Sequence, residues 1–279
     1  MHYITTNQNI PIPSMLYGTA WKKERTADLV ALALESGFRG IDTACQPKHY
    51  EEALVGEGCA RFYSQGGKRE ELFLQTKFTP LNAHDSQRVP YDSHASLEEQ
   101  ILTSCHVSKQ NLQTDYLDSF LLHSPLFPYV NLLKAWKVFE SLFDKGDVRH
   151  IGISNCYDPS LLHKLFEDAR IKPSIVQNRF YADVHYDTTL RAWANEKGMI
   201  YQSFWTLSAN PHILHSLILQ EIAQNYSKSA AQIFYRYVMH QGIIPLNGTT
   251  SAQHMKEDLS ICEFTLSPLE IARIDALLV

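Results

Sequence analysis

Several absences narrow the field. The 279 residues contain no uninterrupted apolar run of 18, and the N-terminus, MHYITTNQNIPIP, has neither a basic stretch nor an apolar one behind it. These features argue against a membrane-spanning helix and a secretory leader, and they predict a cytoplasmic chain with no membrane partner. The five cysteines, Cys45, Cys59, Cys105, Cys156 and Cys262, are odd in number, scattered and never spaced C-x-x-C. That pattern supports neither a disulfide framework nor a zinc knuckle. His212 and His215 stand as H-x-x-H without a carboxylate beside them, so no metal is expected. Basic surplus is missing too: 25 Lys and Arg face 30 Asp and Glu, a net charge of -5, which excludes a phosphate-backbone partner. Finally, no G-x-G-x-x-G follows the first apolar strand; only Gly18 stands there. The doubly wound dinucleotide-binding sheet is therefore the second choice of fold.

The chain does carry enough apolar sequence, 44% hydrophobic residues, to bury one large core. After a hairpin-like start, strand-length apolar runs alternate with helical periodicity. The runs are Met15 to Gly18, Phe38 to Asp42, Leu72 to Lys77, Tyr116 to His123, Val148 to Ser154, Ile175 to Asn178, Ile200 to Trp205 and Ile243 to Leu246. Helical patterns follow them, for example over Lys22 to Ser36, Ala53 to Tyr63 and Leu97 to Ser108. Eight such units predict a closed (β/α)8 barrel spanning residues 1–279 as a single domain. The polar stretch Thr79 to Ala95 is expected to be an enlarged βα loop, solvated or partly covering the barrel mouth.

Barrel active sites lie at the C-terminal ends of the strands. The polar and aromatic residues at those ends are Asp42, Lys77, His123, Ser154, Asn155, Gln177, Asn178, Phe204 and Trp205, with Asn247, Gly248, Thr249 and Thr250 after the last strand. Singly, each has a plain reading: Asp42 as a helix cap, Lys77 as a snorkelling side chain, His123 as a structural histidine. Jointly they are ionisable groups converging on one barrel mouth, where burial is costly unless they pair or are used.

The segments GFRGIDTA around Asp42, LQTKF around Lys77, LDSFLLHSP around His123, GISN at 152–155 and VQN at 176–178 resemble the aldo-keto reductases, from about Met15 to Leu277. The resemblance implies reversible hydride transfer between a nicotinamide dinucleotide and the carbonyl of an aldehyde or ketone. It implies catalytic roles for Asp42, Tyr50, Lys77 and His123. Reduction places negative charge on the carbonyl oxygen, so a proton donor is required. Tyr50, in the similar run YEEALVG, is the expected donor, its acidity raised by the Lys77 ammonium paired with Asp42. The loop before it, Cys45-Gln46-Pro47-Lys48-His49, is longer than the family's, and His49 is the substitute should Tyr50 be dispensable.

By the same resemblance Ser154, Asn155 and Gln177 hydrogen-bond the nicotinamide carboxamide, Phe204 stacks on its ring, and Gly18 and Thr19 join the cofactor set. At the phosphate end Leu246 replaces the family's lysine and His254 its arginine. Asp258 occupies an adenine-binding position, and the turn Asn247-Gly248-Thr249-Thr250 offers backbone N–H groups and hydroxyls to phosphate. NADP(H) is the expected cofactor, with NAD(H) as the alternative because the cation is missing. Trp21, Ser124 and Trp205 are the candidate substrate residues, Trp21 and Trp205 reading equally as packing residues. The sequence stops at Val279, just after the last helical pattern, so a more open pocket is expected. The competing class is a nicotinamide-binding regulatory module without catalysis on the same barrel. Substrate, direction and oligomeric state are not readable from the residues.

Overall fold

The computed structural model describes residues 3–5 and 11–278. A two-stranded antiparallel hairpin, β1 (Tyr3–Thr5) and β2 (Pro11–Pro13), precedes a closed parallel barrel. The barrel strands are β3 (Leu16–Gly18), β4 (Gly40–Asp42), β5 (Phe73–Phe78), β6 (Ser119–Leu122), β7 (Ile151–Ser154), β8 (Ile175–Arg179), β9 (Ile200–Phe204) and β10 (Ile243–Asn247), with β10 closing onto β3. Helices α1 (Thr26–Ser36), α2 (Glu52–Ser64), α3 (Leu97–Asn111), α4 (Tyr129–Asp144), α5 (Pro159–Asp168) and α6 (Thr188–Glu196) follow β3 to β8 in turn. After β9 come α7 (Pro211–Leu214), α8 (Leu217–Tyr226) and α9 (Ala230–His240); after β10 come α10 (Ala252–Leu259) and α11 (Pro268–Asp275). The expected barrel and hairpin are therefore both present. Several strands are shorter than their apolar runs: Tyr116 to Asp118 and Val148 to His150 lead into β6 and β7, joined there by a single bridge, Leu117 to Val148. A closed barrel tilts its strands, so only the staggered middle of each run stays in register.

Alternation along the strands sorts their side chains into two cores. Inward-facing Leu16, Phe73, Leu121, Ile175, Ile200 and Ile244 fill the lower barrel, and Ile12 of β2 is fully buried in the same cluster, so the hairpin plugs the floor. Outward-facing Tyr17, Ile41, Leu74, Phe120, Ile153 and Val176 pack against the helices. Each fully buried aliphatic or aromatic side chain contributes about 1.5–3 kcal/mol. Close helix packing needs glycine once in particular: a Cβ on Gly56 of α2 would lie 2.0 Å from the carbonyl oxygen of Asn111 at the end of α3. Helix starts are set by side-chain caps. Ser96, Ser229 and Ser267 form capping boxes with Glu99, Gln232 and Glu270, and Ser251 caps α10.

Inside the barrel, the inward position two residues further along turns polar on four strands, β4, β5, β8 and β9. Phe73 is followed inward by Gln75 and Lys77, Ile175 by Gln177, Ile200 by Gln202 and Gly40 by Asp42, all buried. Register aligns Asp42 with Gln75 and Gln177 with Gln202. This polar layer is the base on which the mouth is built. Among the described residues, no helix is long and apolar enough to cross a membrane.

Candidate active site

A cavity of about 840 Å³ opens at the C-terminal ends of the strands, within the range that holds small ligands and cofactors. Asp42, Tyr50, His123, Ser154, Asn155, Gln177, Phe204 and Trp205 line it, together with Gly18, Trp21, Asn247, Gly248, Thr249, His254 and Asp258. Four residues assigned to the site from sequence do not line it: Thr19, Lys77, Ser124 and Thr250. Thr19 is fully buried, its hydroxyl donating 3.0 Å to the Asp42 carbonyl, so it braces β4. Lys77 lies behind Asp42.

At the closed end of the cavity, Lys77 Nζ donates to both Asp42 carboxylate oxygens at 2.7 Å and to the Thr43 carbonyl at 2.8 Å. An ammonium has three hydrogens, and all three are used. Lys77 and Asp42 are 1% and 2% exposed, so each supplies the other's charge compensation. Burial nevertheless pushes the Lys77 ammonium below the ordinary lysine range, opposed by Asp42. Its Nζ sits 5.7 Å from the centre of the Tyr50 ring. Tyr50 meets His123 edge-on, with ring centres 6.2 Å apart. The longer loop thus brings Tyr50 beside Lys77 and His123, helped by Tyr50 N donating to the Gln46 carbonyl at 3.1 Å. His49 instead stacks on Trp21 at 3.9 Å, on the outer side of the cavity.

The expected acidity of Tyr50 is reversed in this arrangement. Burial, and after it the Asp42 charge, push the phenol above the ordinary tyrosine value. The lysine is engaged by Asp42 and Thr43, and its field at Tyr50 is largely cancelled by the adjacent carboxylate. His123 is held well below the ordinary histidine value by burial and then by the Lys77 charge, so its imidazole is neutral. Its Nδ1 lies 2.7 Å from Thr79 Oγ1, which leaves Nε2 for the cavity.

The loop 79–95 is largely exposed, as expected, but it is anchored at several points. Tyr91 is buried and donates 2.7 Å to the Thr79 carbonyl, His84 Nε2 lies 3.0 Å from the same oxygen, and Gln46 donates 2.9 Å to Ala83. Its residues do not line the cavity; they fix Thr79 and, through it, the His123 ring.

On the nicotinamide side expected from sequence, Ser154 Oγ donates 2.7 Å to the Gln177 carbonyl and Asn155 Nδ2 donates 2.8 Å to the His123 carbonyl. Both residues face the cavity with these donors turned onto the protein. Asn155, Trp21 and Trp205 adopt left-handed backbone conformations, φ 53°, 64° and 56°, uncommon for such side chains and concentrated here at the strand ends. Trp205 is 46% exposed, with the Arg179 guanidinium 4.1 Å from its ring centre.

At the other end of the cavity, Asn247 is buried and donates 2.5 Å to Asp258, while its Oδ1 accepts from Thr249 N at 2.7 Å, which shapes the turn. Burial raises the Asp258 carboxyl to about 6. Lys22 donates to the Gly248 carbonyl and lines the cavity, supplying a cation from the first βα loop where Leu246 has none. Sequence reasoning missed Lys22 because it read the residue as a helix start. It also missed Arg179, one position beyond VQN, which lines the cavity from the end of β8. Gln75 and Gln202, polar residues on the inward-facing side of apolar strands, were the detectable signal for the layer beneath.

The chain matches the family model described as "Aldo/keto reductase family" over residues 14–209 and 207–279. It is 32% identical over 249 residues to the uncharacterized oxidoreductase YtbE of Bacillus subtilis, covering 89% of this chain and 82% of that protein. It is 28% identical over 316 residues to the NAD(P)H-dependent D-xylose reductase of Pachysolen tannophilus, covering 99% and 94%. Among solved structures, an aldo/keto reductase of Brucella melitensis superposes with a TM-score of 0.84 at 26% identity, covering 99% of both chains. An aldo-keto reductase of Bombyx mori in complex with NADP superposes with a TM-score of 0.83 at 26% identity, covering 99% of this chain and 92% of that one. With a barrel of this topology and its polar residues gathered at one mouth, the chain belongs to the aldo/keto reductase family.

Proposed function

We propose that this chain is an NAD(P)H-dependent reductase of a small aldehyde or ketone, with Tyr50 as the proton donor. The observation that carries the reading is the convergence of Tyr50, neutral His123 and the Lys77–Asp42 pair at the closed end of one cavity. A bound nicotinamide supplies the hydride. The protein's part is to orient the carbonyl oxygen between Tyr50 Oη and His123 Nε2 and to give that oxygen a proton. Tyr50, its phenol pushed upward, is fully protonated near neutral pH and therefore able to donate. His123, neutral, orients the oxygen by a hydrogen bond and draws no proton from it. Lys77 is the cation beside the phenolate that Tyr50 becomes once the proton has left, while the Asp42 charge opposes that phenolate and serves to hold the ammonium in place. Ser154, Asn155 and Gln177 hold the carboxamide, Phe204 covers one ring face, and Trp21 and Trp205 bound the carbonyl substrate.

At the adenosine end, NADP(H) is the first reading, with Lys22, His254 and the Asn247-Gly248-Thr249-Thr250 turn as the groups for the extra phosphate. NAD(H) is the second, favoured by Asp258 and Glu257, two acidic residues lining the same end, and by the uncharged Leu246. Binding of NADPH and NADH, followed by quenching of tryptophan fluorescence, separates the two.

Turnover of a reactive aldehyde with NADPH or NADH tests the activity. Tyr50→Phe is expected to lose about a hundredfold or more in kcat with dinucleotide binding retained, in the range of general-acid contributions. Unchanged turnover removes Tyr50 from its role. A protein that binds dinucleotide but reduces no carbonyl of a broad panel is instead a regulatory module. That second reading has one observation behind it, the engagement of all three Lys77 hydrogens away from Tyr50.

A further inference from the structure

Beneath the cavity, three glutamine side chains and Asp42 form a closed set of hydrogen bonds inside the barrel. Gln75 Nε2 donates to Asp42 Oδ1 at 2.7 Å and to Gln202 Oε1 at 2.7 Å. Gln177 Nε2 donates to the same two oxygens, at 3.0 and 2.9 Å. Gln202 Nε2 returns a bond to Gln75 Oε1 at 3.1 Å. Gln75 and Gln202 are fully buried and Gln177 is 2% exposed.

Amide orientation is here a matter of counting. A carboxylate bound by an ammonium can only accept, so Gln75 and Gln177 must both turn nitrogen toward Asp42. Each amide has two hydrogens. Those of Gln75 go to Asp42 and Gln202, which obliges Gln202 to present its oxygen, and that oxygen takes the second hydrogen of Gln177. Gln177 then has no hydrogen left. What remains is its Oε1, which has no protein partner among the described residues on a side chain that lines the cavity.

We propose that Gln75 and Gln202 are positioning residues that, with Asp42, lock the Gln177 amide so that it meets the cofactor carboxamide only as a hydrogen-bond acceptor. The inference rests on the reading of this cavity as a nicotinamide dinucleotide site. It ties the charge of Asp42, needed at Tyr50, to the polarity of the carboxamide contact across the barrel. An acceptor at that point demands the N–H of the carboxamide and leaves a buried oxygen unsatisfied when the ligand lacks it.

The test compares NADP+ with its 3-acetylpyridine analogue, which keeps the ring carbonyl but replaces the amide NH2 by methyl. Affinities are read by tryptophan quenching on the full chain, with no turnover required. The wild-type protein is expected to bind the analogue about tenfold or more weakly. Gln177→Met should abolish the preference. Gln75→Met and Gln202→Met, which keep volume while removing an amide, should each reduce it to about threefold or less, because the second Gln177 hydrogen then loses its fixed acceptor and the amide, held by Asp42 through one hydrogen, can tilt that N–H toward the cavity. Equal affinity of the wild-type protein for both dinucleotides overturns the polarity, and an undiminished preference in both methionine variants overturns the positioning role. The wild-type comparison stands even if one variant does not fold. Failure to bind either dinucleotide defeats the cofactor reading itself, and this inference with it.

Discussion

The two ends of the cavity are built on opposite principles. At the closed end the charged and amide groups are buried and saturated: Lys77 uses all three hydrogens, Asp42 Oδ1 accepts from Lys77, Gln75 and Gln177, and Gln75 and Gln202 complete the layer below. At the open end Gly248, Thr250 and His254 are exposed, and Lys22 reaches a backbone carbonyl with no carboxylate partner among the described residues. A group taken out of water must find its partners inside the fold, so its neighbours are determined many residues at a time. A group left in water can be exchanged singly. The resemblance read from sequence divides in the same way, holding at the closed end and departing at Leu246, near which Lys22 brings a cation.

Breaking the closed end should cost the most. Lys77→Met leaves Asp42 buried without its counter-charge, and about 3–5 kcal/mol of stability should be lost, as for other broken buried pairs. Denaturant unfolding at pH 7 measures it; a loss below about 1 kcal/mol would mean the pair is less dehydrated than its exposure implies.

Burial without pairing sharpens the same point at the barrel floor. His150 is fully buried, neither ring nitrogen has a hydrogen-bond partner among the described residues, and burial lowers its pKa to about 4. The folded protein refuses a proton that the unfolded chain accepts below about 6.5. Stability is therefore intact above pH 6.5 and falls as pH drops toward 4, by about 3 kcal/mol at ~1.4 kcal/mol per pH unit from this residue alone. His150→Phe should flatten that part of the pH profile; a parallel profile in the variant would assign the acid loss to other groups.

The open end should respond least in stability. Lys22→Ala is expected to change the unfolding free energy by less than about 0.5 kcal/mol. It should weaken NADPH binding about tenfold, the loss of one charge-assisted contact. Equal weakening of NADPH and NADH would place Lys22 at the shared pyrophosphate, and selective weakening of NADPH would place it at the ribose phosphate.

Legibility from sequence follows the same division. Asp42, Lys77 and His123 were readable because each ends an apolar run whose length marks a strand, and strand ends in a barrel meet at one mouth. Tyr50 was reached only through resemblance, and the position of its ring beside His123 depends on the turn around Pro47. Lys22 and Arg179 carried no local signal, since a lysine at a helix start and an arginine after a strand are ordinary surface residues. The exposure of the loop 79–95 was readable from its composition, but its anchors were not, since His84 and Tyr91 bond to a backbone carbonyl. The two helices inserted after β9, α7 and α8, went unseen as separate elements because their apolar stretch merges with that of α9.

Periodicity and order along the chain determined the barrel, its N-terminal hairpin and the identity of most strand-end residues, because alternation and amphipathicity are local and repeat in every unit. Which donor meets which acceptor was decided only by closure. The Gln177 amide is oriented by Asp42, 135 positions away, and by Gln202, 25 away. A hydrogen-bond polarity set by such distant partners exists only once the strands stand side by side.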